Sequence, residues 1–315
     1  MIPVKDAADV IGLTGVRIKQ ILKEEGLAFS RSKSGYITIS HETLRTLMKN
    51  RGVNYQSTVA TFGIEKGGAG KTTLTLLFAL YASRLRGAKV AVLDVDPEAS
   101  ATQFLAPEAF DISKSGTILE VFQHNRQIID YLQPSRFPGV DFMPCRALSR
   151  RVDRFIADAN PKTFLRQKMR GLREMYDIIL WDVPPSFGQL IAGAYLSSDI
   201  VVCIVNSDVF SLESLILTKE DINEMAERFE AKKPDIRVLR NRFSAQRRNA
   251  RESHIELQRD FADELLPFQV KESAVIANAI NDGLSPFDGR SNGDLKEVFS
   301  DLFESLLKPV GVADA

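Results

Sequence analysis

The chain has 315 residues, 44% hydrophobic and 26% charged, with 41 Lys+Arg against 41 Asp+Glu. That balance gives no bulk attraction to nucleic acid or lipid, so any such surface must come from local clustering. The two cysteines, Cys145 and Cys203, are too few for a disulfide framework or a zinc cluster; with no secretory apolar core at the start and no bilayer-length run, a reducing cytoplasm is expected.

Residues 1–52 read as a small separate unit. AADVIGLTGVRIKQILKEEG predicts two short helices around Gly12-Leu13-Thr14, with Val10, Ile11, Val16, Ile18, Ile21 and Leu22 on the apolar side. Thr14 is placed to cap the second helix and Gly26 to end it. Alternation from Phe29 to Ser40 around Ser34-Gly35 predicts a two-stranded wing, and His41 to Asn50 a closing helix with Leu44, Leu47 and Met48 inward. The pattern resembles a winged or MerR-type helix-turn-helix. That resemblance implies a recognition helix presenting Arg17, Lys19, Gln20 and Lys23 to operator DNA. Nine Lys/Arg against five Asp/Glu in this unit favour phosphate contact.

Residues 51–57 form the join, and 53–315 a second domain. From Thr58 strands alternate with helices, the mark of an α/β fold with a mostly parallel sheet flanked by helices. Val59 to Ile64 reads as a strand, Lys66 to Gly70 as a glycine-rich loop, and Lys71 onward as a helix. Strand, loop and helix start together cradle phosphate, because backbone N–H groups and the helix dipole converge on the anion. Gly67, Gly68 and Gly70 allow close approach, Ala69 and Thr73 complete the loop, Lys71 reaches the β/γ-phosphates and Thr72 meets Mg²⁺. The usual first glycine is Glu65, and the loop holds a second lysine, Lys66. KGGAGKTT resembles the deviant Walker A loop of the ParA/MinD/nitrogenase-iron-protein superfamily of P-loop ATPases. In that family the extra lysine crosses a dimer interface to the partner's nucleotide, so Lys66 implies an ATP-sandwich homodimer.

LDVDPEASAT follows the strand Lys89 to Leu93, placing Asp94 and Asp96 on one strand face at the ligand crevice. The segment resembles the family's first switch. The resemblance gives Asp96 support of Mg²⁺ and of the attacking water; Glu98 stands where the family has glutamine, and Thr102 keeps the family's threonine. Residues Arg146 to Arg173 hold nine Lys/Arg and two acids; Phe155, Phe164, Leu165, Met169 and Leu172 there predict helices with a solvated basic face. YDIILWDVPPSFG reads as a strand buried on both faces that delivers Asp182, a second Mg²⁺ carboxylate, before a Pro-stiffened second switch.

Asp199 to Asn206 is another buried strand, and Leu215, Ile216 and Leu217 on the following helix read as core. Asn241 and Arg242 stand where family members place an asparagine near adenine, and an amide suits that edge. Residues 237–251 hold six arginines and no acid; by resemblance Arg247, Arg248 and Arg251 bind nonspecific DNA. The stripe Leu295, Val298, Phe299, Leu302, Phe303 and Leu306 near the end carries four acids and one lysine, which argues for core packing and against a membrane-surface helix.

The resemblance as a whole implies a DNA-segregation ATPase. Lys66, Lys71 and Asp96 would be catalytic, ATP and Mg²⁺ the cofactors, and a ParB-like centromere-binding protein the stimulating partner. The location would be cytoplasmic and nucleoid-associated. The alternative is a nucleotide-sensing transcriptional repressor with no cargo.

Overall fold

The computed structural model describes residues 1–31, 35–157, 159–161, 163–206, 208–242, 255–288, 293–307 and 309–310. The first element is a two-residue strand, β1 (Ile2–Pro3), followed by helices α1 (Val4–Ile11) and α2 (Gly15–Glu24). The Thr14 hydroxyl accepts from the Arg17 backbone N–H at 3.2 Å, capping α2 as its sequence predicts. Strands β2 (Ser30–Arg31) and β3 (Ile37–Ile39) pair antiparallel, and β1 joins them in the order β1-β3-β2. Helix α3 (His41–Lys49) closes a small core of Val4, Ala7, Ile18, Ile21, Leu22, Leu44 and Leu47. Val16, expected in that core, is instead 66% exposed. Ile18, Ile21 and Leu22 already fill the inward stripe of α2, so its second residue turns outward.

Strand β4 (Asn54–Tyr55) lies in the join and pairs with β13 (Pro309–Val310) near the other end of the chain. Between them runs an eight-stranded sheet of β5 (Thr58–Gly63), β6 (Val90–Asp94), β7 (Gln133–Pro134), β8 (Val140–Met143), β9 (Ile178–Asp182), β10 (Ile200–Val205), β11 (Asp235–Asn241) and β12 (Leu265–Val270). Its order is β12-β11-β10-β5-β9-β6-β8-β7, parallel throughout except for the β7–β8 edge. The α/β, mostly parallel architecture is the one the alternation predicts. Every residue of β6, β9 and β10 is buried, which explains their continuous apolar runs. Helix α4 (Lys71–Arg86) leaves the central strand β5 through the glycine loop and is itself buried over most of its length.

The helix Gly293–Leu306 packs Phe299, Leu302, Phe303 and Leu306 into the core, as its stripe predicts. Two other stripes were less obedient. Phe164, Leu165, Met169 and Leu172 are buried, but Phe155 is 51% exposed. Leu215 is buried in the helix Val209–Arg228, while Ile216 and Leu217 face solvent. That helix lies over one sheet face, and its next two positions rotate away from it. Among the described residues no helix is long and apolar enough to cross a membrane.

The small unit is fastened to the end of α4. The Tyr55 hydroxyl donates to the Arg86 carbonyl at 2.8 Å, Arg45 donates to the Gly87 carbonyl at 3.0 Å, and His41 Nε2–H donates to the Ala88 carbonyl at 3.0 Å. Arg45 also pairs with Asp177, whose carboxylate accepts from the Lys89 backbone N–H at 2.7 Å. Burial lowers the His41 pKa, so the imidazole is held neutral at this junction.

Candidate functional site

The loop after β5 leads directly into α4, whose first residue is Lys71. Gly68 and Gly70 take positive φ values of 70° and 96°, which an L side chain rarely adopts. A Cβ on Gly70 would stand 2.6 Å from the Asn241 amide nitrogen, so the close approach also requires glycine there. That amide donates to the Ala69 carbonyl at 2.8 Å, and Arg242 donates to the Gly68 carbonyl at 3.3 Å. Asn241 and Arg242, expected as nucleotide contacts, therefore brace the loop from the end of β11. Both also line a cavity of about 420 Å³ with Gly70, Thr73, Leu74, Val270, Ile276 and Ile280.

At the same sheet end, Asp94 and Asp182 are register neighbours on β6 and β9. Asp94 is fully buried and accepts from the Thr102 hydroxyl at 2.6 Å, the Thr102 N–H at 2.8 Å and the Asp96 N–H at 3.1 Å. Burial pushes its pKa up to about 7 in spite of those bonds. Asp94 thus ties the segment from Asp96 to Thr102 to the sheet. Asp96, almost as buried, accepts from the Glu98 N–H at 3.0 Å, whereas the Glu98 side chain is exposed.

Asp182 has no solvent exposure, and neither carboxylate oxygen has a hydrogen-bond partner. Burial, then the nearby Asp94 and Asp96 charges, raise its pKa well above the usual range; Thr72 and Lys71 oppose this without offsetting it. An orphaned buried carboxylate beside a second carboxylate and a threonine hydroxyl is a set of hard oxygen donors. It suits Mg²⁺, which takes one or two protein carboxylates plus phosphate and water. No cluster of three or more His, Cys, Asp or Glu forms a closed metal cage among the described residues, and Mg²⁺ of this kind does not need one.

Lys71 is buried and donates to the Lys66 carbonyl at 2.9 Å. Burial lowers its pKa, while Asp182, Asp96 and Glu98 pull it back up. The structure thus brings together Lys71, Thr72, Asp96 and Asp182, with Gly67 to Thr73 wrapped around them. Lys66 does not join them: its ammonium pairs with Asp208 and donates to the Ser211 hydroxyl at 2.9 Å. Glu65 is likewise turned to the helix Val209–Arg228, its N–H donating to the Thr218 hydroxyl at 3.1 Å. Burial first, then a hydrogen bond and charge repulsion from Asp221, push the Glu65 pKa up to about 7. Sequence reasoning missed Asp208 and Asp221, which stand 142 and 156 residues away from the lysine and glutamate they face.

On α2, Lys19, Gln20 and Lys23 are exposed. Arg17 is exposed too, but its guanidinium bonds Gln20 and Glu24 at 3.3 Å within the same helix. Arg247, Arg248 and Arg251 lie outside the described residues. In the basic stretch 146–173, Arg146 pairs with Glu120 and Arg173 with Asp199.

A family model described as an AAA domain matches residues 57–237. The cell division protein PomZ of Myxococcus xanthus (strain DK1622) is 27% identical over 316 residues, covering 99% of this chain and 96% of that one. An ATP complex of a McdA variant from Cyanothece superposes with a TM-score of 0.72 at 20% identity, covering 80% of this chain and 97% of that chain. A solved structure described as a partition protein gives a TM-score of 0.71 at 15% identity and covers 96% of this chain and 92% of that one.

Proposed function

The chain belongs to the AAA domain family, as a ParA/MinD-type P-loop ATPase, and on that premise we propose that it is an ATP-driven DNA partition or positioning ATPase. The observation that carries this reading is the convergence of Lys71, Thr72, Asp96 and the orphaned Asp182 under a glycine loop that holds a second lysine. Similarity over nearly the whole chain to PomZ, a cell division protein, supports a cellular-organisation role over a metabolic one.

In this reading ATP lies with its phosphates on the loop N–H groups of Gly67 to Thr73 and its nucleoside in the Asn241-lined cavity. Lys71 leaves the Lys66 carbonyl for the β/γ-phosphates. Thr72 and Asp182, with support from Asp96, would hold Mg²⁺, which supplies charge neutralisation across those phosphates. Asp96 orients the attacking water, and Lys71 stabilises charge as the terminal bond breaks. Lys66 leaves Asp208 and reaches the nucleotide of a second copy, closing the dimer. The closed dimer holds nonspecific DNA through Arg247, Arg248 and Arg251. A ParB-like partner speeds hydrolysis and release, and residues 1–52, as a helix-turn-helix domain, bind operator DNA. Such a protein works in the cytoplasm on the nucleoid.

Retention of a random-sequence duplex, measured with ATP, ADP and no nucleotide over a salt series, tests the reading. Retention specific to Mg-ATP and falling steeply with salt is expected, since each phosphate contact releases counterions. Equal retention in all three states, with no ATP-dependent dimer, would sink it.

A further inference from the structure

Helix α2 presents an outward face that the fold does not use. The small unit docks on the larger one through α3, with His41 and Arg45 as its contacts, and through α1, which packs on α4. On α2 the buried positions are Ile18, Ile21 and Leu22; Val16, Lys19, Gln20 and Lys23 point away from the protein. Val16 is the most exposed large apolar side chain among the described residues. It sits in the first turn of a capped helix, where a β-branched residue is a poor helix former and gains nothing from packing.

From Val16 to Lys23 the outward stripe runs over two turns, roughly 10 Å of helix. That length matches about three base-pair steps, and an α-helix of this width enters the major groove. On this face Lys19 and Lys23 are exposed, and their charge complements a phosphate backbone. Gln20 stands one turn beyond Val16 on the same side. Its amide oxygen accepts from Arg17 at 3.3 Å, and Arg17 also holds Glu24, so Gln20 can leave without stranding the guanidinium.

We propose that Val16 and Gln20 are the sequence-reading pair of this unit, Val16 packing on the 5-methyl group of a thymine and Gln20 bonding the N6/N7 edge of a neighbouring adenine. This rests on the reading of residues 1–52 as a DNA-binding domain. It assigns the ligand: duplex DNA with adjacent A·T pairs, read in the major groove, with Lys19 and Lys23 on phosphates. Apolar contact to the thymine methyl and a bidentate amide on adenine are the pairings the groove geometry allows to these side chains.

The test uses the full-length protein with ADP. Duplexes are enriched from a random pool, the best is rebuilt with uracil replacing one thymine at a time, and Kd is read by fluorescence anisotropy. At one position uracil should weaken binding about three- to fivefold, the size of one buried methyl group. Val16→Ala should lose a similar factor on the thymine duplex and then be indifferent to uracil at that position. Gln20→Ala should weaken binding about ten- to hundredfold and relax preference at the adjoining pair. Specific binding that ignores uracil everywhere, or that Val16→Ala leaves intact, overturns the assignment while the domain reading stands. No enriched sequence at all overturns both. If Val16→Ala spares DNA but abolishes binding to another protein, the face is a protein contact and the assignment is wrong.

Discussion

Asp208→Asn isolates what holds Lys66 in its own protomer. Asparagine keeps the N-cap, since its side-chain oxygen can still accept from the Ser211 N–H that Asp208 bonds at 3.0 Å. It removes the charge facing Lys66 and, with one acceptor oxygen in place of two, the bond from the Ser211 hydroxyl at 3.0 Å. The side chains of the pair are 22% and 39% exposed, so the attraction belongs near the upper end of surface ion pairs, about 1 kcal/mol. A sandwich dimer must free two such lysines, so the variant should favour closure by about 2 kcal/mol, roughly 30-fold in dimer Kd. Sedimentation with Mg²⁺ and a non-hydrolysable ATP analogue measures it, and Lys66→Ala in the same background should erase the gain. An unchanged Kd in a folded Asp208→Asn protein would refute the idea that this pair opposes dimerisation.

Asp182→Asn removes a buried, unbonded carboxylate, so the nucleotide-free protein should melt at a higher temperature while Mg²⁺-dependent nucleotide affinity drops by about tenfold or more; Trp181, the one tryptophan and next in sequence, reports binding by fluorescence. Asp96→Ala should retain ATP and lose turnover, and single-turnover kinetics at wild-type rate would remove Asp96 from the reaction. The Glu65 pKa, about 7 in the fold against 4.5 unperturbed, means the folded chain binds this proton more tightly and loses stability as pH rises through that window. Glu65→Gln should therefore match the wild type near pH 4 and exceed it above about pH 7 in denaturant midpoint; parallel curves at both ends would contradict the assignment. Arg45→Ala removes the donor to Gly87 and the partner of Asp177, and should cost about 2 kcal/mol by thermal unfolding, discounted from a fully buried pair because both side chains remain partly exposed.

The strand–loop–helix turn from β5 into α4 was legible because its pattern is local: a strand, three glycines, a lysine and a threonine stand close together in sequence. The buried strands were legible because a sheet covered on both faces leaves no polar position to interrupt the run. Val16, Phe155, Ile216 and Leu217 were misread for one common reason. Helical spacing says which residues share a face, and says nothing about whether another element arrives to cover it. The contacts that hold the molecule in its present state were invisible for a different reason. Lys66 to Asp208, Arg45 to Asp177 and β4 to β13 join residues more than a hundred positions apart, and a two-residue ladder has no pattern of its own.

Helix α4 runs from the glycine loop to the junction with the small unit. It begins at Lys71, where phosphate would bind, and ends at Arg86, whose carbonyl is bonded by Tyr55 of the join, while those of Gly87 and Ala88 are bonded by Arg45 and His41 of the small unit. Deleting residues 1–52 would keep the Tyr55 bond and let water reach the Gly87 and Ala88 carbonyls, so each of those two lost hydrogen bonds costs about 0.5–1.5 kcal/mol and not the larger penalty of a buried orphan. It would also uncover Gly87, on which Leu44 and Met48 pack, and strip the charge partner from Asp177. A truncated ATPase would therefore differ from the whole protein at the far end of its own nucleotide helix. Any change in its turnover would confound loss of the proposed DNA binding with loosening of α4. Point changes on the outward face of α2, where nothing in the fold leans on the side chains, separate the two.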